Sequence, residues 1–247
     1  MKKIIAVILV LTMVAVLSVN VFAATYHDWT PPPQIVDRDD VWYKEARAFV
    51  LEEDLMYRLT VNKYFNGSVY YCGGTYKSFE GEAPAPRSDV ALILCRYNGS
   101  YDILKGCIES KSKFFVDVPN GQNFTPAADW AYENGIINGV GDDCFAPERT
   151  ITREEFAAML YRYTNYLEID TTARIDYSEF ADSESVSDWA HDAMSWAVAV
   201  GLINGKPGKL LAPQDTITRA EVATVIYRFN NEVKANRDIL DSTLINK

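Results

Sequence analysis

"WAYENGIINGVGDDCFAPERTITREEFAAMLYRY", Trp130 to Tyr163, and "WAVAVGLINGKPGKLLAPQDTITRAEVATVIYRF", Trp196 to Phe229, align without a gap. At this offset of 66 residues Gly135 meets Gly201, Asn138 meets Asn204, Gly139 meets Gly205, Pro147 meets Pro213 and Arg153 meets Arg219. A self-match of that length makes the chain a repeat protein before any single residue is interpreted. A third copy stands upstream. "SFEGEAPAPRSDVALILCRY", Ser78 to Tyr97, matches Leu210 to Phe229 at an offset of 132, pairing Arg87 with Arg219 and Asp89 with Glu221. Its front half, "VWYKEARAFVLEEDLM" from Val41 to Met56, needs an offset of 147, which pairs Trp42 with Trp189 and Phe49 with Trp196. The difference of 15 residues is an insertion, Tyr57 to Tyr71. Asn66-Gly67 lies there between alternating apolar and aromatic residues, the pattern of a β-hairpin with a tight turn.

The units are expected over 30–100, 112–166 and 177–230, followed by a tail, 231–247. Each holds a first helix, near 41–56, 125–135 and 187–201, then a Gly-rich loop and a second helix. The second helices carry Val90, Ile93, Leu94 and Tyr97; Phe156, Met159, Leu160 and Tyr163; Val222, Val225, Ile226 and Phe229. That spacing is one face of an α-helix. Three matching stripes bury best against one another, so the expected fold is mainly α, with pseudo-threefold symmetry around a central three-helix bundle. No single unit has the apolar surface for a stable core.

Residues 1–23 have the three-part form of a secretory signal peptide: Lys2 and Lys3, an apolar run, then Val21 and Ala23 before cleavage at Ala24. An uncleaved anchor is the competing reading, but Ile4 to Leu17 falls short of the roughly 20 residues that span a bilayer. Removing the leader leaves 22 basic against 34 acidic side chains, a formal charge of −12. Such a surface argues against nucleic acid and anionic membranes as partners, so an anionic ligand must be met by local arginines. Cys72, Cys95, Cys107 and Cys144 match no zinc spacing; a Cys95–Cys107 bridge and free buried thiols are both open. His27 and His191 stand apart, with no nucleophile elbow and no cluster of metal ligands, so neither catalysis nor a cofactor is expected. Asn230 to Lys247 reads as a helix extension and a tail rather than an effector domain.

In "TREE" and "TRAE", Thr152 or Thr218 is the helix N-cap and Glu155 or Glu221 sits at N3, forming a capping box. The arginine between them has no part in the cap and is opposed by the helix dipole. It recurs as Arg87, Arg153 and Arg219, the first behind Pro86 instead of threonine. Beside helix-terminal donors a guanidinium favours a carboxylate or phosphate. The competing reading is an internal salt bridge, for example to Asp117 or Asp182.

The order "FVDV…WA…GIINGVGDDCFAPERTITREEFAAML" resembles the S-layer homology domain, usually found in threes on exported bacterial proteins. The resemblance covers nearly the whole mature chain. It implies a three-pronged spindle that is helical apart from short loops. It further implies non-covalent attachment to a secondary cell-wall polysaccharide of a Gram-positive-type envelope, typically one bearing pyruvate ketals. Carried over by position, the implied contacts are Arg87, Arg153 and Arg219, the loop glycines Gly73, Gly139 and Gly205, and Asp117 and Asp182. Trp42 and Trp189, at the start of the first helices, could stack on a sugar face, but core packing is the favoured expectation for either. Unit one departs most, with Asp54 in place of the loop glycine and the inserted hairpin; units two and three are therefore the expected ligand sites. Arg153→Ala and Arg219→Ala are expected to weaken wall binding while costing less than about 1 kcal/mol of stability. A different class of function, a protein-interacting envelope component, would use the spindle and Tyr57, Tyr64, Tyr70 and Tyr71 as its surface.

Overall fold

The computed structural model describes residues 41–53, 55, 56, 58, 59, 77–100 and 110–231. The leader, Asp54, the hairpin turn, the four hairpin tyrosines, Gly73, Cys72, Cys107 and all of the tail but Asn231 lie outside them. Among the described residues the chain is mainly helical: α1 (Lys44–Glu52), α2 (Arg87–Tyr97), α3 (Thr125–Glu133), α4 (Arg153–Tyr166), α5 (His191–Ala199) and α6 (Arg219–Phe229). Two short strands, β1 (Arg58–Leu59) and β2 (Lys77–Ser78), pair antiparallel with Arg58 opposite Ser78. The segment between them is the one read as an insertion.

α3 and α5 end near Gly135 and Gly201, whose φ of 67° and 72° is the left-handed turn that frees the chain from a helix. α4 and α6 begin as their sequence demands. The Glu155 amide donates to Thr152 at 3.3 Å and the Thr152 amide to the Glu155 carboxylate at 3.0 Å. Thr218 and Glu221 repeat this at 3.2 and 2.9 Å. α2 starts behind Pro86 with no side-chain cap.

Helices pack in a cycle: α2 on α3, α4 on α5, and α6 back on α1. Each unit's second helix thus covers the first helix of the next, and unit three returns to unit one. The backbone follows the same rule. The Ala85 amide donates to Ile217, Ile217 to Ile151, and Ile151 to Ala85, at 3.0, 3.0 and 3.1 Å. These three residues occupy equivalent positions, so the bonds form a closed triangle. At the other end of the second helices Tyr97, Tyr163 and Phe229 meet with ring centroids 5.8 to 6.3 Å apart. Between the two triangles the stripe residues Val90, Ile93, Leu94, Phe156, Leu160, Val222 and Ile226 are at most 1% exposed. Cys95 is a free thiol at 0% exposure within this core, and Cys107, its candidate partner, lies outside the described residues. Among the described residues no helix is long and apolar enough to cross a membrane.

Candidate functional site

The three box arginines are buried, at 4% (Arg87), 6% (Arg153) and 1% (Arg219) exposure. Each crosses to the loop of the following unit. Arg87 Nε donates to the Phe145 carbonyl at 2.8 Å and Nη2 to Asn138 at 2.7 Å. Arg153 makes the equivalent bonds to Leu211 at 2.9 Å and Asn204 at 3.0 Å. Arg219 Nε donates to Phe79 at 2.8 Å, closing the cycle onto unit one. The backbone amides beside them are also taken. Arg87, Arg153 and Arg219 donate to Arg149, Asp215 and Ala83, and the next residues donate to Pro147, Pro213 and Gly81. The first-turn donors expected to greet an anion are therefore satisfied by carbonyls of the neighbouring unit, and the arginine is first a clasp between units.

Neither Asp117 nor Asp182 pairs with a box arginine. Asp117 accepts the amides of Phe145 and Ala146, both at 2.7 Å, and Asp182 those of Leu211 and Ala212, at 2.8 and 2.7 Å. Ala146 and Ala212 stand at φ of 55° and 51°, a conformation unfavourable for alanine, and the bidentate carboxylate holds it. The same loops present the carbonyls that Arg87 and Arg153 use, so each aspartate braces its arginine's acceptor. The loop glycines answer to their own packing. A Cβ on Gly139 would lie 2.9 Å from the Cys144 carbonyl, and one on Gly205 would lie 2.4 Å from the Phe180 ring.

Two clefts flank these clasps. One, of about 250 Å³, is lined by Arg87, Gly139, Arg149, Glu155, Arg162 and Trp189. The other, of about 160 Å³, is lined by Arg153, Gly205, Lys206, Glu221, Arg228 and Trp42. The tryptophans are 55% and 65% exposed, so core packing is not their role. Each comes from a third unit: Trp189 of unit three faces unit two's loop, and Trp42 of unit one faces unit three's. The equivalent position of unit two is Asn123 rather than a tryptophan. The assembly also reassigns Arg87. It serves the complete loop of unit two, whereas Arg219 serves the altered unit one.

Each cleft sets three cations against one carboxylate, on a chain whose formal charge is −10. Burial, and then the neighbouring Arg149, push the Arg87 pKa down to about 10. Burial lowers Arg162 as well, and burial followed by Arg153 lowers Arg228. Burial alone would raise Glu155, but its bonds to Arg149 and the Thr152 amide outweigh it and hold the carboxyl below its ordinary value. Sequence reasoning missed Arg149, Arg162 and Arg228. The last two were visible as equivalent residues in "YRY" and "YRF", facing away from the apolar stripe. Of the two lysines peculiar to unit three, Lys206 lines its cleft and pairs with Asp215 at 3.1 Å, whereas Lys209 lies 3.9 Å from Glu179. Among the described residues no group of side chains is arranged to hold a metal.

Residues 114–157 and 179–223 match the S-layer homology domain. The chain is 33% identical over 155 residues to an amylopullulanase of Thermoanaerobacterium thermosulfurigenes, covering 63% of this chain and 8% of that one. It is 28% identical over 173 residues to a cellulosome-anchoring protein of Acetivibrio thermocellus, covering 70% of this chain and 37% of that one. Over 124 residues it is 37% identical to a surface-layer 125 kDa protein of Lysinibacillus sphaericus, covering 49% of this chain and 10% of that one. The chain thus spans a small part of these relatives, and the match to the amylopullulanase covers too little of that enzyme to carry an activity across.

Proposed function

We propose that the chain is three S-layer homology repeats closed into a spindle, which holds an exported protein non-covalently to the bacterial cell wall. The ligand is an acidic secondary wall polysaccharide, with a pyruvate ketal as the group the arginines receive. The observation that carries this reading is the make-up of the two clefts. Each joins a cationic floor to an exposed tryptophan, on an otherwise acidic chain. A carboxylate needs the first and a sugar ring the second. The surface proteins among the relatives support the same location. The module is a binding element, with no catalytic step assigned to it.

The test is a binding isotherm of the full chain with purified wall polysaccharide, before and after removal of its pyruvate. Saturable binding that disappears with the pyruvate is expected. Equal binding to both forms, or to walls stripped of the polymer, would refute the reading and favour a protein partner.

A further inference from the structure

Resting on that reading, we infer that Arg149 makes the groove between units one and two the principal anion site, by holding Glu155 away from Arg87. The inference starts from three equivalent carboxylates, Asp89, Glu155 and Glu221, each set to face one box arginine. Arg219 pairs with Asp89, and Arg153 pairs with Glu221 at 2.9 Å. The pattern calls for Arg87 with Glu155, and that pair is absent. Glu155 instead turns both oxygens to Arg149, at 2.6 and 3.2 Å, while keeping its capping bond. Arg87 keeps two carbonyl partners and has no carboxylate in ion-pair range among the described residues.

The cause is one position, four residues before the box arginine: Ala83, Arg149 and Asp215 in the three units. Alanine cannot compete for the carboxylate. Asp215 repels Glu221 and is itself taken by Lys206 at 3.1 Å. Lys206 also comes within 3.8 Å of Glu221, but Glu221 keeps its closer pair with Arg153 at 2.9 Å, whereas Arg149 takes both oxygens of its capping glutamate. Arg153 and Arg219 are thereby neutralised from within, and Arg87 is not. A guanidinium at 4% exposure with no matched countercharge gains most from a bound anion. Arg162 adds charge in the same cleft and Trp189 supplies a ring face. The occupant is a carboxylate borne on a sugar ring. The position that sets this site, Arg149, is a positioning residue acting through Glu155.

The experiment is calorimetric titration of the full chain with a methyl hexoside carrying a 4,6-pyruvate ketal, circular dichroism confirming that each variant is folded. The wild type is expected to bind at one site per chain. Arg149→Ala should weaken binding at least about tenfold, because Glu155 is released onto Arg87. Adding Glu155→Gln should restore affinity to within about threefold, since glutamine keeps the capping box but cannot neutralise Arg87. Glu221→Gln should open a second site by the same logic. No binding by the wild type would refute the polysaccharide reading and this inference together. Several equal sites, wild-type affinity in Arg149→Ala, or no rescue by Glu155→Gln would overturn the inference alone.

Discussion

Replacing Arg219 by methionine tests whether the box arginine is a clasp between units. Its side chain is 1% exposed and donates to the Phe79 carbonyl at 2.8 Å and to the Asp89 carboxylate. Methionine preserves much of the volume and removes these bonds. A buried carbonyl left unpaired costs about 1–3 kcal/mol. Removing one partner of a buried ion pair costs about 3–5 kcal/mol, and Asp89 recovers part of that because its side chain is 23% exposed. The two overlap, so the expected loss is about 3–4 kcal/mol. For a domain of this size that lowers Tm by about 10 °C. Urea denaturation monitored by circular dichroism measures the loss directly. Lys113→Ala is the control, because its pair with Glu133 is 68% and 46% exposed, and should change stability by less than about 0.5 kcal/mol. Adding Asp89→Leu to Arg219→Met should recover part of the loss by removing the stranded charge. If Arg219→Met alone stays within about 1 kcal/mol of the wild type, the clasp is not what joins unit three to unit one.

Thr218→Ala should cost about 1 kcal/mol in the same assay, through the lost bond to the Glu221 amide. Gly205→Ala should destabilise by about 1–3 kcal/mol, because the new methyl meets the Phe180 ring and the loop or the ring must move. The carboxyl of Glu155 is held below its ordinary value in the folded chain. Its contribution is present above the unfolded-state value and is lost as pH falls through the depressed one. Acid titration of stability should therefore show a steeper loss below about pH 4.5 in the wild type than in Glu155→Gln, which keeps the capping box but has no carboxyl to protonate. Equal acid limbs would mean the pair contributes nothing.

Much of this organisation was legible in the chain. The 3, 4, 7 spacing gave the stripes and the Thr-x-x-Glu boxes gave the helix starts, because each is a local pattern read along one segment. The fate of the arginines was not legible. Their partners are carbonyls of Phe145, Asn138, Leu211, Asn204 and Phe79, and a carbonyl acceptor leaves no mark on residue identity. The expectation that Arg153 and Arg219 could be truncated at little cost in stability followed from that blindness. The salt-bridge alternative was right in kind for Arg153 and Arg219 and wrong in partner, since Asp117 and Asp182 brace loops. The destination of Trp42 was hidden for a related reason: it serves a groove whose loop lies more than a hundred residues along the chain. Gly139 and Gly205 were read as letting a sugar approach the backbone, and packing within their own loops gives each a separate reason to lack a side chain.

The triangle of amides at Ala85, Ile151 and Ile217 has a consequence for how the chain comes apart. An open array of repeats has terminal members that contact one neighbour, fray first and need special caps. Here every unit has two neighbours, and the seam between units three and one carries its own bond of the triangle, from the Ala85 amide to Ile217. Melting one unit exposes both of the others, so no partly unfolded array is left with an intact edge. Force applied along the chain would therefore meet the three units together rather than one at a time.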